Sequence, residues 1–136
     1  MSAEVFLDTN ILIYAAAKDD PRAEIATALV AKGGRISVQV LNEFAAIARR
    51  KLNWPWADVI EALAAFRVLC PDPLPIGVAT HEAALAIAQR DGIGFNDSLI
   101  VASAIEAGGS TLLSEDMQDG RTIAEILTIQ NPFRQT

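Results

Sequence analysis

Val5-Phe6-Leu7-Asp8-Thr9-Asn10-Ile11-Leu12-Ile13-Tyr14 is almost all apolar, yet an aspartate, a threonine and an asparagine sit in its middle. An ionisable carboxylate is costly to bury, so its place at the tip of an apolar segment asks for a reason. Residues 4–7 (EVFL) read as a short buried strand that ends at Asp8. Asn10 is placed to cap a short helix over 11–17.

The chain continues in the same alternation. Asp19-Asp20-Pro21 combines an Asp cap with Pro at a first helical position and predicts a helix over 21–32, stopped by Gly33-Gly34. Ile36-Ser37-Val38 reads as a second strand. Helix 39–52 follows, with Leu41, Phe44, Ala45, Ala48 and Leu52 on one face. Asn53-Trp54-Pro55-Trp56 breaks it and opens a helix over 56–69. Cys70 to Pro75 is a proline-rich connector with a minimal strand near 74–76. Helix 79–90 ends at Asp91-Gly92, and Asn96 is placed to cap a helix that runs to Glu106. Thr111-Leu112-Leu113-Ser114 is a third clear strand, Glu115 to Gly120 a polar loop, and 127–130 a last strand. Short apolar strands alternating with amphipathic helices predict a parallel sheet covered on both faces. The 136 residues show no repeat and no shift in composition, so one domain over 1–136 is expected.

Composition narrows the chemistry. The chain is 51% hydrophobic and 21% charged, enough apolar material for a real core. No basic region precedes an apolar run at the start, and the longest apolar run, Ile11 to Ala17, is far too short to span a bilayer. A soluble cytoplasmic protein without membrane association is expected. Cys70 is the one cysteine and His81 the one histidine, so one chain can form neither an internal disulfide nor a Cys/His zinc site. His81 reads as a helix-start or surface residue. The net charge of −6 argues against a general nucleic-acid binder.

The acids fall in a pattern. Ligands of open α/β sheets bind outside the carboxyl ends of the strands. Asp8 follows the first strand directly, and Glu115 and Asp116 follow strand TLLS. Asp97 opens an otherwise apolar helix that leads into that strand, and Glu43 lies on the helix after Ile36-Ser37-Val38. Each has an ordinary explanation when taken alone: a helix cap, a favourable helix-dipole charge, a solvated helix residue, a polar loop. Together they bring four carboxylates from four regions to one edge, where like charges resist ionising. A divalent cation resolves that conflict. Magnesium and manganese prefer carboxylate and water oxygens and need no histidine or cysteine. Such an ion can polarise a phosphoryl oxygen and make hydroxide from water near neutral pH.

LDTNILIY, LNEFAAIARRKL, FNDSLIVASAIEAG and LLSEDMQDG, closed by IQNPF, resemble the PIN-domain family, and within it the VapC-type toxins of toxin–antitoxin pairs. The matching stretches span nearly the whole chain in the family's order. The resemblance implies a Rossmann-like α/β/α sandwich with a central parallel sheet of four to five strands in order 3-2-1-4-5. It implies an endoribonuclease using Mg²⁺ or Mn²⁺, leaving 5′-phosphate and 3′-hydroxyl ends. It maps the acidic positions onto Asp8, Glu43, Asp97 and Asp116, supported by Thr9, Asn10 and Ser114, with Asp119 as a candidate fifth ligand. It further implies a homodimer and a cognate VapB-type antitoxin laid across the cleft.

Leaving the four site carboxylates out takes the net charge from −6 to −2, which still provides no basic surface. Candidate phosphate contacts are Arg49, Arg50, Lys51 and Arg121, and a structured RNA read by shape is expected. Trp54 and Trp56 either anchor a partner or staple two helices. Three rivals stand beside this reading. A phosphatase of the haloacid-dehalogenase class needs a second Asp where Asn10 stands. A receiver domain needs a phospho-accepting Asp where Gln39 follows Ile36-Ser37-Val38. A catalytically silent, acid-lined binding module needs only the charges.

Overall fold

The protein is described by a computed structural model covering residues 5–134. In chain order the elements are β1 (Val5–Leu7), α1 (Thr9–Ala16), α2 (Ala23–Ala31), α3 (Val38–Arg50), α4 (Trp56–Leu69), α5 (Val78–Asp91), α6 (Phe95–Glu106), β2 (Thr111–Leu113), β3 (Thr122–Ile123) and β4 (Leu127–Gln130). The expected first strand began at Glu4, which lies outside the described residues.

β1, β2 and β4 are parallel neighbours, with Leu7 opposite Leu113 and Leu113 opposite Gln130. Both Phe6 and Leu7 are buried, as are Leu112 and Leu113, so consecutive residues on opposite faces are covered. α6 supplies much of that cover: Ser98 through Ala104 are all buried. Gly109 lets the chain re-enter the sheet under Phe6. A Cβ there would collide with the Phe6 ring and stand 2.9 Å from the carbonyl oxygen of Ala104.

The sheet departs from five parallel strands. Its order is β1-β2-β4-β3, and β3 runs antiparallel to β4. Ile36-Ser37-Val38 and the stretch near Leu74 shrink to single parallel bridges, Phe6 with Arg35 and Ser37 with Leu74. Counting those bridges as the outer strands restores the order 3-2-1-4-5, with β3 added at the far edge. The causes are local. Ser37 turns its hydroxyl to the Val40 N–H at 3.3 Å and caps α3, so Val38 is already helical. Pro73 and Pro75 flank Leu74 and donate no N–H to a longer ladder.

Helix starts also differ from expectation. Asp8, not Asn10, caps α1: its carboxylate accepts the Thr9 N–H. α2 begins at Ala23 behind Arg22, because the Asp20 carboxylate accepts the Arg22 N–H in a turn that places Pro21 outside the helix. Gly94 rather than Asn96 precedes α6. Trp54 packs edge-on against Phe44, as a staple does, while Trp56 is exposed with the Arg49 guanidinium above its ring. Among the described residues, no helix is long and apolar enough to cross a membrane.

Candidate active site

The parallel pairing of β1 and β2 puts Asp8 and Ser114 side by side beyond the strand ends, and the Asp8 N–H completes the ladder onto the Leu113 carbonyl at 3.0 Å. Asp8 is only 2% exposed. Its Oδ1 accepts the Thr9 N–H at 2.7 Å, and its Oδ2 accepts the Ser114 hydroxyl at 2.6 Å and the Asn10 amide at 3.2 Å. The same Asn10 amide reaches Asp116 Oδ2 at 3.1 Å, while Asn10 Oδ1 accepts the Glu115 N–H at 3.3 Å. Ser114 Oγ in turn accepts the Asp116 and Met117 N–H groups. Asn10 and Ser114 thus join the β1 end to the loop after β2, while the Thr9 N–H holds Asp8. Asn10 spends its amide on orienting acids, and no second Asp is there for the phosphatase alternative.

Glu43 enters from α3. Oε1 accepts the Thr9 hydroxyl at 3.2 Å and Oε2 accepts the Gln39 amide at 3.0 Å. Gln39 and Glu43 lie one helical turn apart, a spacing that lets such side chains meet. Asp97 stands half-buried in the first turn of α6. Among the described residues its carboxylate accepts no hydrogen bond from the protein.

Electrostatics join the four. Burial pushes Asp8 up to about 7 against the lowering effect of its Ser114 and Thr9 hydrogen bonds, with the Asp97 and Asp116 charges adding to the rise. Asp97 is also raised, first by burial and then by the Glu43 and Asp116 charges. Among the described residues none of the four forms an ion pair with Lys or Arg. The site is a set of oxygen donors with uncompensated negative charge, which suits a hard divalent cation. The carboxylates face one another without being gathered: among the described residues no three Asp, Glu, His or Cys side chains stand within common ligating reach.

Asp119 is not brought to the four acids by any contact. Its Oδ1 accepts the Asn131 N–H and its Oδ2 pairs with Arg134, each at 2.8 Å. These partners lower its pKa. Arg121 bonds the Asp91 carbonyl across to the end of α5, and Arg49 bonds the Trp54 carbonyl at 2.8 Å. Arg50 and Lys51 are exposed, but about 10 Å along the helix axis from Glu43. His81 is exposed on α5, edge-on to Phe95. Residues missed by sequence reasoning are Gln39, Tyr14 and Arg22. The i, i+4 spacing to Glu43 was a signal for Gln39. Tyr14 and Arg22 reach Glu115 only through the fold.

Solved structures resemble the chain over 83% to 98% of its length. A toxin–antitoxin complex from Klebsiella pneumoniae aligns with a TM-score of 0.71 at 19% identity, covering 98% of this chain and 100% of that one. The sarcin–ricin-loop-cleaving toxin VapC20 of Mycobacterium tuberculosis aligns at 0.67 and 20% identity, covering 83% and 92%. VapBC2 of Rickettsia felis, bound to a DNA fragment from its promoter, aligns at 0.66 and 23% identity, covering 93% and 97%. At these identities the likeness is one of fold. No curated protein matches. A PIN-domain family model matches residues 5–119, a span that includes all four acids, and the chain belongs to the PIN-domain family.

Proposed function

We propose that the protein is a metal-dependent endoribonuclease and the toxin of a toxin–antitoxin pair. One observation carries the reading: four carboxylates from β1, α3, α6 and the loop after β2 repel one another with no cation of the protein among them. Asp8, Asp97 and Asp116 would hold Mg²⁺ or Mn²⁺, and Glu43 would hold a second ion or orient the attacking water. When bound, such an ion polarises a phosphoryl oxygen and acidifies water. The chain's own residues supply the frame. Thr9 and Gln39 fix both oxygens of Glu43, so its aim is set before substrate arrives. Ser114 and Asn10 hold Asp8 and Asp116 in register.

The toxin part of the reading is supported by the likeness in fold, over most of the chain, to toxins of such pairs. It brings with it a VapB-type antitoxin, a homodimer and a cytoplasmic site of action. The Mycobacterium relative cleaves the sarcin–ricin loop, so that stem-loop is the first defined RNA to try. Arg49, Arg50 and Lys51 are the exposed cations of the candidate set, and Arg50 and Lys51 are the ones whose side chains make no structural bond among the described residues. Arg49 and Arg121 are already engaged in structural bonds. With so few phosphate contacts, a shallow salt dependence is expected.

The binding-module alternative is favoured by one fact, the lack of a gathered ligand triad. Cleavage separates the two. Purified protein freed of antitoxin is incubated with total RNA and with the stem-loop, in Mg²⁺, in Mn²⁺ and in EDTA. Discrete products in the metal lanes alone are expected. Intact RNA in every lane would favour the binding module.

A further inference from the structure

The loop that carries Asp116 is braced from outside the acid cluster. Glu115 Oε1 accepts the Tyr14 hydroxyl and, at 2.7 Å, Arg22 Nη1. The same Nη1 donates to the Tyr14 hydroxyl at 2.9 Å, and the guanidinium lies 3.8 Å above the Tyr14 ring. The other edge of the guanidinium is held by both oxygens of Asp20. The Tyr14 ring also meets Phe133 edge-on at 5.2 Å. Beside Phe133, Asn131 and Arg134 clamp Asp119, at the other end of the same loop.

We propose that Tyr14 and Arg22 are positioning residues: through Glu115 they fix the backbone that presents Asp116, and so set the affinity of the acid cluster for a divalent cation. This rests on the metal-holding reading above. The ion pairs of Arg22 are partly exposed, and pairs of that kind add little to global stability. Their value here is geometric, because the planar guanidinium ties three groups in a fixed arrangement. The Tyr14 hydroxyl serves as a donor across the physiological range, since burial and the Glu115 carboxylate push it up to about 12.

The sign of one effect distinguishes a brace from a bystander. Arg22 is a cation near the site, so its removal by charge alone would tighten binding of a divalent ion. Loss of the brace weakens it. Mn²⁺ affinity is measured by titration calorimetry at pH 8 for the native chain, Tyr14→Phe, Arg22→Gln and Asp97→Asn. Arg22→Gln is expected to bind about tenfold more weakly, as outer-shell changes do. Tyr14→Phe, which changes no charge, should weaken binding in the same direction, by less than Arg22→Gln does. Unchanged or tighter binding in both would overturn the proposal. If the native chain binds Mn²⁺ no better than Asp97→Asn, the metal reading itself fails. Hydrogen exchange at the Glu115, Asp116 and Met117 amides then decides the brace: faster exchange in both variants supports it, and native exchange overturns it.

Discussion

Asp97→Asn is expected to cut RNA cleavage by about 10³-fold, roughly 4 kcal/mol of transition-state stabilisation, while leaving the fold intact. The carboxylate takes no hydrogen bond from the described residues, so an isosteric amide breaks nothing. It also removes a buried charge and relieves the repulsion from Glu43 and Asp116, the causes, burial first, that raise the Asp97 pKa. The melting temperature should therefore hold or rise while activity disappears. That combination separates a ligand from a structural acid, whose replacement lowers both. Asp8→Asn should be equally inactive but structurally less neutral. Its new amide would face the Asn10 amide, which now donates to Asp8 Oδ2, leaving two donors opposed. Rates on total RNA, compared with melting curves of the same preparations, check both variants. Cleavage by Asp97→Asn within tenfold of native would remove Asp97 from the machinery.

The second large effect is on stability. Asp8 has a folded pKa of about 7 against an ordinary value of 3.8. The folded state thus holds its proton more tightly than the unfolded one. Below about pH 4 both states are protonated and the group contributes no difference. As pH rises from about 4 to 7 the unfolded chain ionises first, and stability falls, by at most about 4 kcal/mol. Above pH 7 the loss levels off. Asp97 acts in the same direction. Asp20 and Asp119, whose pKa values are lowered, act in the opposite direction but only in more acidic solution. Metal-free protein should therefore be more stable to urea at pH 5 than at pH 8, and Asp8→Asn should flatten that slope. Mn²⁺ in large excess over its Kd should restore stability at pH 8 by binding the folded state. A native urea midpoint that rises from pH 5 to pH 8 without metal would contradict the buried-charge account of Asp8.

Much of this site was legible because each acid follows an apolar element whose period is readable. Strand TLLS gave Ser114 and Asp116, and the apolar helix over Asp97 made its lone carboxylate conspicuous. α4 and β4 lie where aromatic, proline and β-branched residues put them. Less legible were places where one side chain serves two ends. Asp8 both caps α1 and faces the cluster, whereas the sequence set those two roles against each other as alternatives. Ser37 could extend a strand or cap a helix, and the cap won, shortening the second strand to a bridge. The brace was not legible at all. Arg22 and Glu115 are 93 positions apart and Tyr14 and Glu115 are 101, and no local pattern couples residues at such separations. Asp119 entered as a candidate fifth ligand through the family resemblance alone, and its bonds to Asn131 and Arg134 were not legible from the loop that holds it.

Asp8, Asp97 and Asp116 are proposed to close around one divalent ion. Anomalous scattering from a crystal grown with Mn²⁺ should show a peak between these carboxylates, within direct coordination distance of at least two, and none in Asp97→Asn crystals. A Mn²⁺ peak elsewhere, with the acid cluster empty in protein that cleaves RNA, would contradict it.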